Sequence, residues 1–550
     1  MGFRTLSAAV ASMLFMSQAN AALDPIIMKG TKFFFENGTQ FFIRGVAYQQ
    51  GVGAAGSTNA SAPYDDPLAD INRCKQDVPI LAGLRTNAIR TYAIDPTKDH
   101  SACMKLLDDA GIYVVSDLSE PSLSINRDNP SWNVELLDRY KAVVDEMSKY
   151  SNVIGFFAGN EVSNNKTNTG ASAYVKAAVR DTKAYIKSKG GRWMGVGYAA
   201  NDDVDIRTEI AHYFNCGNQS NAIDFWGYNI YSWCGHSSFQ QSGYADQVKF
   251  FSNYSVPVFF AEYGCNTQGG ANGRIWEETT ALYSNEMTGV ISGGIVYEYF
   301  QEVHDYGMRP TSTLLFYLGL VTLGSNGQAT TMKNYNALKT VIASVNPSST
   351  AMSAYNPTNS PAACPPLNAD WQANANLPPT PDKSTCDCME SNVRCTVSSS
   401  VDEKDYGKLF GLVCGLKGNP CAGINGNTTT GVYGAFSMCS PKQKLAFALD
   451  SYYQSQGSAK DACDFKGQAN LVTPKGAASS CSALLSSASA SNSFAATATA
   501  AKTGGASGGA QGTKNVAAPV PIQNAFTIGQ VAVGMYVLVA MATGAGMMIL

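Results

Sequence analysis

The sequence predicts a (β/α)8 barrel followed by a small disulfide-rich domain, and three features carry that prediction. Between about residues 26 and 345, eight apolar, strand-like stretches alternate with segments whose apolar residues recur at helical spacing. Two of the strands end in a carboxylate, Glu161 and Glu262, where a barrel of this kind places its catalytic groups. Beyond the barrel, eight of the 14 cysteines crowd between Cys386 and Cys481, which marks a second, disulfide-stapled unit.

In chain order, the first residues read as an address. Met1-Gly2-Phe3-Arg4 is a short basic start, Leu6 to Met16 is apolar and Ala19-Asn20-Ala21 fits a cleavage site. Residues 1–21 are therefore expected to be a signal peptide. Strands are predicted over 41–49, 87–94, 111–118, 153–161, 193–200, 225–233, 256–264 and 293–300, and helices over 70–84, 101–110, 132–150, 171–189, 240–253 and 274–287. The seventh strand is the clearest: Val256 to Ala261 is almost unbroken apolar sequence, as in a strand buried on both faces, and it stops at Glu262-Tyr263-Gly264. The fourth has the same construction, ending in Gly159-Asn160-Glu161.

Helical periodicity fades after 345. Asn, Pro and Ser become frequent, so 346–382 reads as a linker between the barrel (22–345) and a cysteine-rich module (383–482). A domain that small gains little from core burial, and disulfides would offset the shortfall. Its eight cysteines allow 105 pairings, which the sequence leaves open. A zinc reading of Cys386-Asp387-Cys388 is disfavoured by its short spacing and by the oxidising compartment. Ser, Ala, Thr and Gly dominate from 482 to 513, as in a flexible, O-glycosylated stalk. Residues 483–524 are assigned to stalk and attachment region, and the uncharged apolar stretch 525–550 to a tail removed on addition of a glycosylphosphatidylinositol (GPI) lipid, with Asn515, Gly508, Gly509 or Ala510 as attachment residue.

Charge narrows the function classes. There are 39 basic and 42 acidic residues, net −3, so no nucleic-acid partner is expected. The four histidines, His100, His212, His236 and His304, lack metal-ligand spacing, and neither metal nor cofactor is expected. Six Asn-x-Ser/Thr sequons, at Asn37, Asn59, Asn165, Asn218, Asn253 and Asn427, agree with export.

Two strand-terminal glutamates on one barrel suggest a paired-carboxylate glycosidase. Taken singly, either suits a strand-end ion pair; the surrounding motifs favour catalysis. Cys234 and Cys265 end neighbouring strands, so a bridge between them would brace the loop beside Glu262.

Arg90-Thr91-Tyr92, Ser116-Asp117-Leu118, Gly159-Asn160-Glu161, Tyr231-Ser232-Trp233-Cys234-Gly235, Phe260-Ala261-Glu262-Tyr263-Gly264 and Val296-Tyr297-Glu298-Tyr299 together resemble the fungal β-1,3-glucanosyltransferases of glycoside hydrolase family 72. The resemblance covers roughly 23–343, and the cysteine-rich stretch after it resembles carbohydrate-binding module family 43. It implies a retaining enzyme that cuts β-1,3-glucan and moves the new reducing end to the non-reducing end of another chain. By the same resemblance Glu262 is the nucleophile and Glu161 the acid/base. Tyr92, Asp117, Ser119, Arg127, Asn160, Asp202, Arg207, Tyr231 and Tyr297 fall at its substrate-binding positions and loops, and Cys74–Cys103 and Cys216–Cys364 complete the barrel disulfides.

The chemistry agrees with the carry-over. Transfer to a second sugar requires the enzyme to hold the glycosyl group after the first product leaves, which a covalent intermediate does. Glu161 must then be protonated while Glu262 is ionised, so their surroundings must separate the two carboxyls. Asp202 and Arg207 could equally be an ion pair in the loop after the fifth strand. Tyr406, Phe410, Tyr433, Phe436, Tyr452 and Tyr453 are possible sugar platforms in the module, although aromatic residues in so small a domain are mostly core. The expected partners are β-1,3-glucan donor and acceptor chains and the membrane through a GPI lipid at the outer face of the plasma membrane or in the wall. A monomer is expected. An endo-β-1,3-glucanase would use the same glutamates, and a non-catalytic wall-binding protein would need neither.

Overall fold

Eight parallel strands close into a barrel: β1 (Ile43–Ala47), β2 (Ala88–Thr91), β3 (Tyr113–Asp117), β4 (Val153–Asn160), β5 (Gly195–Ala200), β6 (Phe225–Asn229), β7 (Val258–Tyr263) and β8 (Ile291–Val296), each paired with the next and β8 with β1. The computed structural model describes residues 22–51, 64–267, 270–304, 316–317, 319–475 and 481–489. The expected signal peptide, the sequon at Asn59, all but the start of the stalk, and the apolar tail lie outside the described residues.

The strands form where the sequence stays apolar because both faces are covered. Every residue of β2, β3, β5, β6, β7 and β8 is buried. Inside, the rings of Phe157, Phe225 and Phe259 meet at centroid distances of 5.3 to 6.0 Å and fill the barrel with side chains rather than solvent. Such packing needs close backbone approaches between neighbouring strands. Gly155 on β4 faces Gly195 on β5, and a Cβ on Gly155 would lie 2.2 Å from the Gly195 carbonyl oxygen.

One helix follows each strand: α1 (Ile71–Ala82), α2 (Ser101–Asp109), α3 (Val134–Met147), α4 (Ala171–Ser188), α5 (Arg207–Asn215), α6 (Tyr244–Phe251), α7 (Glu277–Leu282) and α8 (Lys333–Ser344). Local chemistry starts the best-defined ones. Asp70 accepts the backbone N–H groups of Asn72 and Arg73 at the head of α1, and Asn133 accepts that of Leu136 at the head of α3. All eight predicted strands and six predicted helices are present, α6 and α7 shorter than expected. Not anticipated are α5, α8 and a three-stranded antiparallel sheet at the N-terminus (Ile26–Lys29, Lys32–Phe35, Gln40–Phe41). Phe33 of that sheet packs on Phe225 and Phe259, closing the end of the barrel opposite the strand C-termini.

The chain divides into two compact units after Ala375. Most of the stretch expected as a linker, 346–375, instead belongs to the barrel unit. Tyr355 Oη bonds Thr31, Asn359 Nδ2 donates to the carbonyls of Ser252 and Tyr254, Cys364 is bridged to Cys216, and Trp371 is wholly buried against Tyr213. This segment has no period because single side chains, rather than a face, hold it down.

In the second unit, helices Lys383–Asn392, Tyr406–Cys414 and Pro441–Ser455 pack with a strand pair, Cys395–Val397 and Ala469–Leu471. Four bridges staple it: Cys386–Cys439, Cys388–Cys481, Cys395–Cys463 and Cys414–Cys421. The chain is helical over 481–489, so the expected stalk does not begin at 482. Phe436 and Tyr453 are core, whereas Tyr406, Phe410 and Tyr452 are half-buried against it.

Candidate active site

At the C-terminal ends of the strands lies a buried guanidinium. Arg90, in β2, has no exposure, and removing such a charge from water is costly unless it is paired. Two carboxylates pair it. Its Nε and Nη2 donate to the two oxygens of Asp117, at the end of β3, both at 3.0 Å, and Nη1 reaches Glu262 Oε1 at 3.3 Å. The rings of Tyr92 and Phe157 cover it at 4.2 and 4.4 Å from their centroids.

Glu262, in β7, is therefore a fixed, buried carboxylate. Tyr92 Oη donates to its Oε1 at 2.9 Å and Tyr231 Oη to its Oε2 at 2.7 Å. Tyr92 is itself held by Gln49, whose Oε1 accepts the N–H groups of Tyr92 and Ala93 at 2.9 and 3.0 Å. Tyr297 sets its ring edge-on to both tyrosines.

Glu161 sits one residue beyond β4 in a left-handed backbone conformation, φ 48°, that costs a non-glycine residue on the order of 1–2 kcal/mol. Two contacts hold it there. Its N–H donates to Ala199 O at 2.8 Å, and its carbonyl accepts from Arg127 Nη2 at 2.9 Å. Between the glutamates stands Asn229, the last residue of β6 and the register partner of Glu262. Its Nδ2 donates to Glu161 Oε1 at 2.8 Å and to Asn160 Oδ1 at 3.0 Å.

Burial pushes the Glu262 carboxyl up to about 7, opposed by Arg90, Tyr231 and Tyr92 and reinforced by the Glu161 charge. Burial raises Glu161 as well, against Asn229, Arg127 and Arg90. The pair thus keeps a proton towards neutrality, and its hydrogen-bond donors decide where that proton resides. Both oxygens of Glu262 are taken, by a cation and two phenols, so a proton there would displace a donor. Glu161 accepts one neutral amide on Oε1, and its Oε2 has no hydrogen-bond partner among the described residues. The arrangement favours charge on Glu262 and the proton on Glu161.

Glu161, Glu262, Tyr92, Asn160, Tyr231 and Tyr297 thus gather in one place. Asp117 spends both carboxylate oxygens on Arg90, and Arg127 holds the Glu161 backbone. The Ser119 carbonyl accepts Arg139 Nη2 at 3.5 Å. Asp202 pairs with Arg207 at 3.0 Å and with the Tyr228 hydroxyl rather than with either glutamate. Arg207 is the first residue of α5 rather than part of a loop. The bridge Cys234–Cys265 joins the segments after β6 and β7, and Cys74–Cys103 joins α1 to α2. Among the described residues, no cluster of three or more His, Cys, Asp or Glu is placed to hold a metal.

Sequence reading passed over Arg90, Asn229, Gln49 and Arg274 as site residues. Buried Arg274 donates from Nη1 to the carbonyls of Gly264 and Tyr297 at 3.2 and 2.7 Å, tying the segment after β7 to that after β8. The available signal was charge: an arginine inside a wholly buried strand needs an acid on a neighbouring strand, and Asp117 supplies it.

A family model described as Glucanosyltransferase matches residues 15–346, and one described as X8 domain matches 393–470. The chain is 47% identical to a 1,3-beta-glucanosyltransferase of Arthroderma benhamiae over 568 aligned residues, covering 100% of both chains. It is 43% identical to 1,3-beta-glucanosyltransferase gas1 of Schizosaccharomyces pombe, covering 89% of this chain and 86% of that one. A solved structure of a Saccharomyces cerevisiae Gas2p mutant in complex with laminaritetraose and laminaripentaose superposes with TM-score 0.73 at 38% identity, covering 85% of this chain and 99% of that one.

Proposed function

The chain belongs to the glucanosyltransferase family of glycoside hydrolases, number 72, and from that premise we propose that it is a retaining β-1,3-glucanosyltransferase that elongates cell-wall glucan. The observation carrying the reading is the unequal treatment of two carboxyls in one cleft, Glu262 saturated with donors and Glu161 holding an open oxygen.

In the first step Glu262 bonds to the anomeric carbon of the donor while that carbon's bond to the glycosidic oxygen breaks. Glu161 passes its proton to that oxygen, and the released chain leaves as an alcohol. Asn160 is placed to bond the sugar 2-OH, a contact that strengthens as positive charge develops on the ring. In the second step a hydroxyl at the non-reducing end of another glucan attacks the same carbon, returns its proton to Glu161 and frees Glu262. Net configuration is retained. Half-buried Tyr231 offers a ring to the apolar side of a sugar, with buried Tyr92 and Tyr297 packed around it. The 383–482 module, which carries the X8 match, would hold glucan near the catalytic unit. Export, with GPI attachment replacing 525–550, would place the enzyme beside its substrate at the outer face of the plasma membrane.

A reduced laminari-oligosaccharide of defined length tests the proposal. Products both longer and shorter than the input, with the β configuration kept, are expected. Only shorter products at high substrate concentration would make the enzyme an endo-β-1,3-glucanase, and an inverted product would remove the covalent intermediate altogether.

A further inference from the structure

We propose that Asn229 is a positioning residue that fixes which oxygen of Glu161 carries the transferable proton. The inference rests on the acid/base role proposed for Glu161.

Asn229 is 2% exposed, and its amide orientation is forced. Nδ2 has two hydrogens and spends them on two acceptors, Glu161 Oε1 and Asn160 Oδ1. Turning the amide over would set its carbonyl against both. The orientation has a cost, because Asn229 Oδ1 is left buried without a hydrogen-bond partner among the described residues. An orphaned buried acceptor costs about 1–3 kcal/mol, and a fold that carries one beside a reactive carboxyl is trading stability for placement.

The placement has a chemical consequence. With Oε1 engaged as acceptor of an N–H, the carboxylic proton of Glu161 sits on Oε2, the oxygen without a hydrogen-bond partner among the described residues. Cleavage sends that proton from Oε2 to the departing glycosidic oxygen, and the acceptor hydroxyl returns one to the same atom in transfer. The same amide binds Asn160, so the acid and its neighbour move as one piece. It also steadies the ionised form that must act as base in the second step.

The other charged or titratable groups facing Glu161 are Arg127 from the segment after β3, Arg90 from β2, Tyr198 from β5 and Glu262 from β7. All remain in an Asn229 variant. A change in how Glu161 titrates in Asn229→Ala is then attributable to the amide.

The test uses the full chain with Asn229→Ala, and with Asn229→Asp, which keeps the side-chain shape but replaces the donor by an acceptor. Both are assayed on a laminari-oligosaccharide and on an aryl β-laminari-oligoside with a dinitrophenyl leaving group, beside Glu161→Gln. With the natural linkage, kcat is expected to fall about tenfold or more with KM little changed. The alkaline limb of the rate profile should move up in Asn229→Ala with the acid limb staying in place, and further up in Asn229→Asp, whose added carboxylate disfavours the ionised form of Glu161. The burst of dinitrophenol, which needs no acid, should stay within about threefold of wild type. An unmoved alkaline limb, or equal losses on both donors, would overturn the role of Asn229 while leaving Glu161 as acid/base. A Glu161→Gln enzyme equally slow on both donors would overturn the acid/base reading itself.

Discussion

Arg90 is one cation shared by two buried carboxylates, so Glu262 is only partly compensated for its loss of water. Its carboxyl is raised to about 7 from an ordinary 4.5. A group raised in the folded state contributes stability below its unfolded pKa, and that contribution is lost as pH rises through about 7. Removing one carboxyl of the coupled pair with Glu262→Gln relieves the second ionisation, so the variant should melt a few degrees above wild type at pH 8, the difference narrowing as pH falls and the pair regains its proton, read from the barrel's thermal transition. A lower melting temperature at pH 8 would mean that the Arg90 ion pair outweighs the burial. The two glutamates are also separable chemically. With an activated glucosyl donor, mass spectrometry should find a sugar on the Glu262 peptide in Glu161→Gln and none in Glu262→Gln; the reverse pattern would exchange their roles. Both glutamates were legible in the sequence because each closes an apolar run. Asn229 was not, since it lies inside a predicted strand and just outside the Tyr231–Gly235 motif, and its importance comes from its register with β7.

Among the elements, legibility followed periodicity. The eight strands are mostly apolar because nearly all of their residues are buried, and the long helix α3 buries one stripe, whereas every residue of α4 from Ala171 to Val179 is buried. The short α5 shows little of that patterning. The N-terminal sheet was missed because Phe33 and Phe34 both point into apolar surroundings, which erases alternation. The 346–375 segment was read as a linker on its Pro, Asn and Ser content, yet it is anchored at single points, and Trp371 is the largest of them. Trp371→Ala in the full chain is expected to lower stability by about 3–5 kcal/mol, measured by urea unfolding of the barrel signal. A loss under about 1 kcal/mol would restore the linker reading.

At the scale of the molecule, the two units rest on different physics. The barrel unit has an aromatic interior and three bridges, whereas the second unit has a small core around Leu409, Val413, Leu445 and Leu449 and four. Replacing Cys395 and Cys463 together by alanine should cost the second unit about 2–5 kcal/mol. Limited proteolysis should then cut within 383–475 while the barrel persists; first cleavage in the barrel would show the assignment of stability to be misplaced. The Phe33 plug carries a further consequence, one of timing. The Phe33-Phe34-Phe35 run leaves the ribosome among the first segments, but Phe259, on which Phe33 rests, is made far later. At about 5–20 residues per second the nascent chain would hold an unsatisfied aromatic triplet for on the order of ten seconds or more, so the start of the chain waits exposed until its end of the barrel exists.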